Sequence, residues 1–420
     1  MAPPCPSPAL DDPRQSVKDA QVQKWRAAGR GFFVKIGLLW ESKDTGLYSN
    51  DDFDTLYRKI GHNNGNLAFV HAVKSQIDAD FNYYPWHVKP QIVNDNVDVV
   101  VIPCANQLGK HTDLGGLAKN LAQVNKPIIA IGLGAQAKEF DSDVELTEGT
   151  RAWLDVLIAN GKRFGIQNIY TRGPYTSEQI FKLTGEETVA NGCPSHFINP
   201  RPDLGRRIQA NWESKELPQR IAVAGGHEAW RETREIEQQL IGLMMDPLFP
   251  GMYIVQSMGN MIKISRGLFD AMEPEDLEKI RKHTVPHYTL DQFKDWCHTY
   301  ARSYYDVPAW MDDLRRHDLL IGPRFHGAQL AIQAERMACT VTIDTRTEEM
   351  CRETGVPFLR AAELKQPLTR SKLRSLIQFD GAAYDAHRAG KCARYVRFLF
   401  EAGLKPADYL LAIAKGPEAA

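Results

Sequence analysis

Short apolar runs rich in β-branched residues alternate along this chain with longer stretches whose apolar positions recur at helical spacing. In the first half the runs are the apolar segment from Phe32 to Trp40, VDVVVIP at 97–103, PIIAIGLGAQ at 127–136, NIYT at 168–171 and ETVAN at 187–191. Helical stretches at 114–124, 151–160 and 175–184 lie between them. Near-continuous apolar strands joined by helices mark a parallel sheet covered on both faces. The alternation resumes with a strand at 221–224, a helix at 230–245 and MYIVQ at 252–256. Helical stretches then run to Arg316, interrupted at Pro286 and Pro308, before DLLIG at 318–322 and CTVTIDT at 339–345. A helix at 347–354 follows, with Thr345 and Glu348 in the spacing of a capping box, and a last helix spans 382–402.

The expected fold class is α/β, with two Rossmann-like domains facing across a cleft. The segment 199–219 is polar, Pro-rich and poor in regular apolar positions, and reads as the connection. The expected division is an N-terminal extension at 1–30, a first domain at 31–200, a linker at 201–219, a second domain at 220–380 and a helical tail at 381–420. Within the extension, Asp12 as N-cap and Pro13 at the first helical position predict a helix to Ala28, ended by Gly29 and Gly31.

Composition narrows the picture by exclusion. A chain of 420 residues, 43% hydrophobic and 25% charged, is an ordinary globular one of about two domains. Its formal net charge of −1, with no basic stripe interleaved with aromatics, argues against nucleic acid as a partner. No run of 18 apolar residues predicts a transmembrane helix, and the Pro-rich N-terminus has no apolar core of a secretory signal. Seven scattered cysteines without C-x-x-C fit a reducing, cytoplasmic setting. His283 and His287 have the i, i+4 spacing of a metal pair, but Pro286 breaks the helix and no third ligand is placed to help. No metal is expected there, and both read as surface or boundary histidines. Arg388, Lys391, Arg394 and Arg397 on the last helix read as a solvated face, the alternative being contact with an anionic membrane surface.

The strand ends carry the chemistry. After DLLIG, Pro323 has no N–H for a sheet ladder, and Arg324, His326 and Gly327 lead into the helix-prone AQLAIQAERM. A cation, an imidazole and free backbone N–H groups at one sheet edge suit an anionic ligand and a proton transfer. The structural alternative is an Arg324 that caps a carboxylate beside a satisfied boundary histidine. NIYT leads similarly to Arg172-Gly173-Pro174 and a helix start. The 221–224 strand ends in Gly225-Gly226-His227, and CTVTIDT places Asp344 and Arg346 at a further edge. The turn Gly61–Asn66, with Asn64, Gly65 and Asn66 ahead of a helix, can cradle an anion or a sugar, and serves equally as a plain turn. Gly132 and Gly134 form G-x-G without the third glycine or a prompt helix, so NAD is not expected. Cationic groups on strand ends of both halves place the expected site between the domains.

TRGPYTSEQI with LTG and ANGCPS (171–195), GPRFHGAQLAIQA (322–334), IDTRTEEMCRETGVP (343–357) and GHNNGNLAF (61–69) together resemble the polysaccharide pyruvyl transferase family, across most of 60–360. The resemblance implies a fold similar to the glycosyltransferase-B arrangement. It implies transfer of the enolpyruvyl unit of phosphoenolpyruvate onto two hydroxyls of a sugar, giving a pyruvate ketal and phosphate, with no cofactor beyond this co-substrate. His326, matching the family's R-x-H-[GA] histidine, would be the general acid and base. Arg172 and Arg324 would hold the donor anion, with Arg346 a further candidate or, paired with Asp344, an architectural residue. The Asn64–Asn66 turn and Gly226–His227 would face a sugar or glycan acceptor, free, polymeric or lipid-linked. An acceptor on lipid would put the protein at the inner face of a membrane. Cys193 and His196 depart from the Asp and apolar residue of many relatives, and Cys193 is expected to be a buried thiol rather than a nucleophile. Two other readings stand beside this one: a nucleotide-sugar glycosyltransferase, against which the missing E-x7-E pattern speaks, and a catalytically silent sugar-binding protein.

Overall fold

Each half of the chain lays its apolar runs side by side as one parallel sheet. The computed structural model describes residues 32, 34–41, 51–136, 142–364 and 367–417; the helix expected at 12–28 lies outside them. In the first half, β1 (Lys35–Leu38), β2 (Asp80–Tyr83), β3 (Val99–Pro103), β4 (Ile128–Leu133), β5 (Ile169–Thr171) and β6 (Val189–Ala190) order as β2-β1-β3-β4-β5-β6. In the second, β7 (Ile221–Ala224), β8 (Met252–Ile254), β9 (Ala301–Arg302), β10 (Leu319–Gly322), β11 (Met337–Thr342) and β12 (Phe358–Arg360) order as β12-β11-β10-β7-β8-β9. Every strand pairing is parallel, and β3, β4, β7, β10 and β11 are buried along their whole length. Helices cover both faces, so a strand at the centre meets side chains on either side and reads as an unbroken apolar run. The edge strands β2, β9 and β12 went unforeseen because they are short or half-exposed. In the second sheet the strand order reverses between β7 and β10, which opens a crevice beyond their adjacent carboxyl ends.

The halves share one core cluster, in which the helix Asn66–Gln76 of the first half packs against both the turn Pro194–Phe197 and the helix Phe325–Gln333. The supposed linker is not irregular: Leu204–Glu213 is a helix that buries Leu204, Ile208 and Trp212, one apolar residue per turn. A stripe one residue wide is too thin to stand out among its charges, yet it fills the groove of the C-terminal helix Gly381–Glu401.

That last helix is corrected too. Arg394 and Arg397 face solvent, but Arg388 is fully buried and Lys391 nearly so. The Arg388 guanidinium donates to the carbonyls of His196 (3.0 Å), Arg201 (2.7 Å) and Asn199. One planar fork of N–H groups answers three carbonyls of the crossover together. Tyr395 stacks on Phe197 with centroids 5.5 Å apart, so the helix returns to the first half of the chain.

Two smaller expectations also change. His283 is fully buried, with Nε2 3.3 Å from Glu237 Oε2, whereas His287 is exposed. The helix Thr345–Thr354 is capped by Asp344, whose carboxylate accepts from Thr347 N at 2.7 Å, in place of the Thr345–Glu348 box. Asp is at least as good an N-cap as Thr, and it stands one residue earlier. Among the described residues no helix is long and apolar enough to cross a membrane.

Candidate active site

β10 ends at Gly322, Pro323 breaks the ladder, and the helix Phe325–Gln333 starts at once, so His326 sits in its first turn. Arg324 stands at the N-cap without a side-chain cap bond. The first N–H groups of that helix therefore lie beside the imidazole at the β7–β10 crevice. Across the crevice is the first half: the Phe69 ring is 5.9 Å from the His326 ring, and Cys193 Sγ is 3.6 Å from Nε2. Ser195 Oγ in turn donates to Cys193 Sγ at 3.1 Å. Burial holds the imidazole well below its ordinary pKa, and the charges of Arg172 and Arg346 add to the effect. His326 is therefore neutral near pH 7.

Arg172 follows β5 as the sequence places it. Its Nε donates to Gly132 O at 2.8 Å and its Nη2 to Cys104 O at 3.0 Å, both at strand carboxyl ends, and its guanidinium lies 5.2 Å from the Phe69 ring. The G-x-G motif finds its purpose here. A Cβ on Gly134 would stand 3.2 Å from Arg172 Cδ, and Gly132 adopts φ +86 where it offers its carbonyl. The glycines make room for the Arg172 side chain. Nη1 reaches Met350 Sδ of the second half at 3.8 Å.

Arg324 turns the other way. Its guanidinium covers the Trp230 ring at 4.4 Å and donates from Nη2 to Gly226 O at 3.3 Å, while Nε is buried without an acceptor among the described residues. Burial lowers its pKa to about 10, opposed by Glu237. Glu237 is itself buried and accepts from Gly226 N at 3.1 Å and from Tyr253 OH, so one carboxylate fixes the Gly226 loop and lies behind the guanidinium. Arg346 Nη2 is 3.7 Å from Asp344 Oδ2, and its Nε has no acceptor among the described residues. Its charge depresses the pKa of Arg172 and of Arg324, so the three guanidiniums share one field.

The remaining sequence candidates separate. Asn64 is fully buried and ties the halves together, donating from N to Gln256 O at 2.7 Å and from its amide to Tyr304 O. Asn66 is the first helical residue rather than the cap, and its amide turns back to Gly61 O at 2.9 Å. Asn64 Oδ1 is buried and has no hydrogen-bond partner among the described residues. Gly65 does border His326: a Cβ there would lie 3.2 Å from Nδ1. His227 is partly exposed, and its Nδ1 accepts from Ala229 N at 2.9 Å. His196 is buried behind the site, with Nδ1 3.4 Å from Tyr384 OH, and burial holds it neutral.

Sequence reasoning missed the residues that meet the site from elsewhere. Glu349, from the helix that begins at Thr345, accepts from Tyr175 N at 2.9 Å and so occupies the helix start behind Arg172-Gly173. Glu237, Trp230 and Phe69 read only as helix or loop residues. Gln256 had a weak signal, a polar residue closing an apolar strand run.

The sequence has no match among curated proteins. Solved structures similar to the chain include UDP-GlcNAc 2-epimerase of Neisseria meningitidis bound to UDP-GlcNAc, at 8% identity and TM-score 0.43, covering 88% of this chain and 100% of that one. MurG of Acinetobacter baumannii matches at 9% identity and TM-score 0.32, over 91% of this chain and 99% of that one. A sequence model described as polysaccharide pyruvyl transferase matches residues 38–343, which hold Arg172, Arg324 and His326 within one continuous span, and the chain belongs to that family.

Proposed function

We propose that the protein transfers the enolpyruvyl group of phosphoenolpyruvate to two hydroxyls of a sugar in a glycan or its precursor, releasing phosphate. The observation that carries this reading is a neutral imidazole at a helix start, set among three guanidiniums of which two keep an Nε without a partner among the described residues. Carboxylate and phosphate groups of one small ligand supply the acceptors that such a site lacks. Arg172, Arg324 and Arg346 hold the donor in this scheme, and the first N–H groups of the helix Phe325–Gln333 add to the field.

Donor charge also changes His326. Burial is the main cause of the neutral imidazole, and anionic charge next to Arg172 and Arg346 offsets the repulsion that adds to it, so donor and proton bind together. The imidazolium then gives its proton to the methylene carbon, which becomes a methyl group. The adjoining carbon, now electron-poor, takes the oxygen of the first hydroxyl, whose proton returns to the imidazole. Phosphate departs with its bonding pair and takes a proton from the imidazolium, which regenerates the cationic carbon; the second hydroxyl then closes the ketal and gives its proton back to the imidazole. The arginines stabilise the charge that builds on phosphate. His227, partly exposed beside Gly226, lines the acceptor side.

The test is ligand-induced stabilisation, since a ligand that binds only the folded state raises the melting temperature by mass action. Phosphoenolpyruvate is expected to raise it, and UDP and GDP are not. A shift with a nucleotide alone would replace this reading with nucleotide-sugar glycosyl transfer.

A further inference from the structure

Gln256 follows β8, on the far side of β7 from His326, yet its side chain reaches the same place. It is only 3% exposed, and Nε2 has no hydrogen-bond partner among the described residues. A buried amide N–H without an acceptor is costly, and a bound ligand is one way to supply the acceptor. Two glycines from opposite halves of the chain let the backbone approach the amide closely. A Cβ on Gly327, in the first turn of the His326 helix, would come 2.7 Å from Nε2. A Cβ on Gly65 would stand 3.3 Å from Oε1 and 3.2 Å from His326 Nδ1, so carboxamide and imidazole flank one point. The backbone of Gln256 is fixed independently, because its carbonyl accepts from Asn64 N at 2.7 Å and Ser257 bridges to Asn63.

We propose that Gln256 is a ligand-binding residue of this site, donating from Nε2 to an anionic oxygen of the phosphoenolpyruvate donor beside His326. This rests on the pyruvyl-transfer reading. The free group is a donor, like Arg324 Nε and Arg346 Nε, and an oxygen-rich anion is the chemistry that satisfies all three. Its contribution differs from theirs in kind. An uncharged amide fixes the orientation of the donor without lowering the proton affinity of the neighbouring imidazole, as a fourth cation would. Because Gln256 accepts from Asn64 N of the first half, the bond also links donor binding to the seam between the halves.

The experiment compares phosphoenolpyruvate affinity, by thermal shift and calorimetry, in the parent protein, Gln256→Ala and the near-isosteric Gln256→Glu. Gln256→Ala is expected to weaken binding about tenfold, the loss of one hydrogen bond to a charged group. Gln256→Glu, which sets a carboxylate against the anion, is expected to weaken it further. Affinity within about twofold of the parent in either variant would overturn the assignment while leaving the pyruvyl-transfer reading intact. A parent protein that binds no phosphoenolpyruvate would refute that reading, and this inference with it.

Discussion

Replacing Arg172 by Met removes a charge while keeping an unbranched apolar side chain over Phe69. Two effects separate. The carbonyls of Gly132 and Cys104 lose donors at 2.8 and 3.0 Å, and each buried acceptor left unmade costs about 1–3 kcal/mol. Release of a desolvated guanidinium repelled by Arg346 offsets part of that, so the net loss of stability is about 2–4 kcal/mol. Ligand binding should suffer separately. A unit charge about 5 Å from a ligand charge, at an effective dielectric of about 20, contributes about 3 kcal/mol, or roughly a hundredfold in phosphoenolpyruvate affinity. The third readout is His326, whose pKa should rise because Arg172 is the first of the two charges that depress it. Denaturant unfolding, calorimetric titration and the imidazole proton resonance of His326 measure the three effects. Arg172→Lys divides charge from geometry: it should recover much of the affinity and little of the stability, since an ammonium has no fork for two carbonyls. Donor affinity within about threefold of the parent in Arg172→Met, or an unmoved His326 titration, would refute the reasoning.

His326→Gln should abolish phosphate release in the presence of a working acceptor while donor affinity stays within a few-fold; retained turnover would remove the imidazole from the mechanism. Acid should destabilise the protein in a defined window. His196 and His326 are held well below 6.5, so above that pH both folded and unfolded imidazoles are neutral and the contribution is complete. Below 6.5 the unfolded chain takes up protons that the folded one excludes, and stability is lost as pH falls; His196→Gln should flatten that slope in urea titrations at stepped pH. Glu237→Ala leaves Gly226 N and Tyr253 OH without their acceptor and should cost about 3 kcal/mol in chemical denaturation, a change below about 1 kcal/mol speaking against the network.

Much of the scaffold was legible because burial on both faces leaves a coarse signal. β3, β4, β7 and β10 are wholly buried, and each appeared as an unbroken apolar run closed by glycine or proline, while the equally buried β11 carries Thr340 and Thr342 within a β-branched run. The edge strands β2, β9 and β12, each two to four residues long, gave no such signal. The helix Leu204–Glu213 escaped for a related reason: its buried stripe is one residue wide, and only the partner helix makes it meaningful.

Arg172, Arg324 and His326 stood out by themselves, because a charge directly after an apolar strand run is placed at a sheet's carboxyl edge by local connectivity alone. Local pattern says nothing about which edge faces which. The contact of His326 with Cys193, the carboxylate of Glu349 on the helix start at Tyr175, and the amide of Gln256 between Gly65 and Gly327 join residues more than a hundred positions apart or on opposite sides of a strand reversal. The same holds for electrostatics: a histidine becomes neutral and Arg388 becomes a buried anchor only when desolvation and neighbouring charges act on them together. Periodicity along a chain encodes which face of an element is buried. Distances between elements, and the charge states that depend on them, exist only once the two sheets have packed.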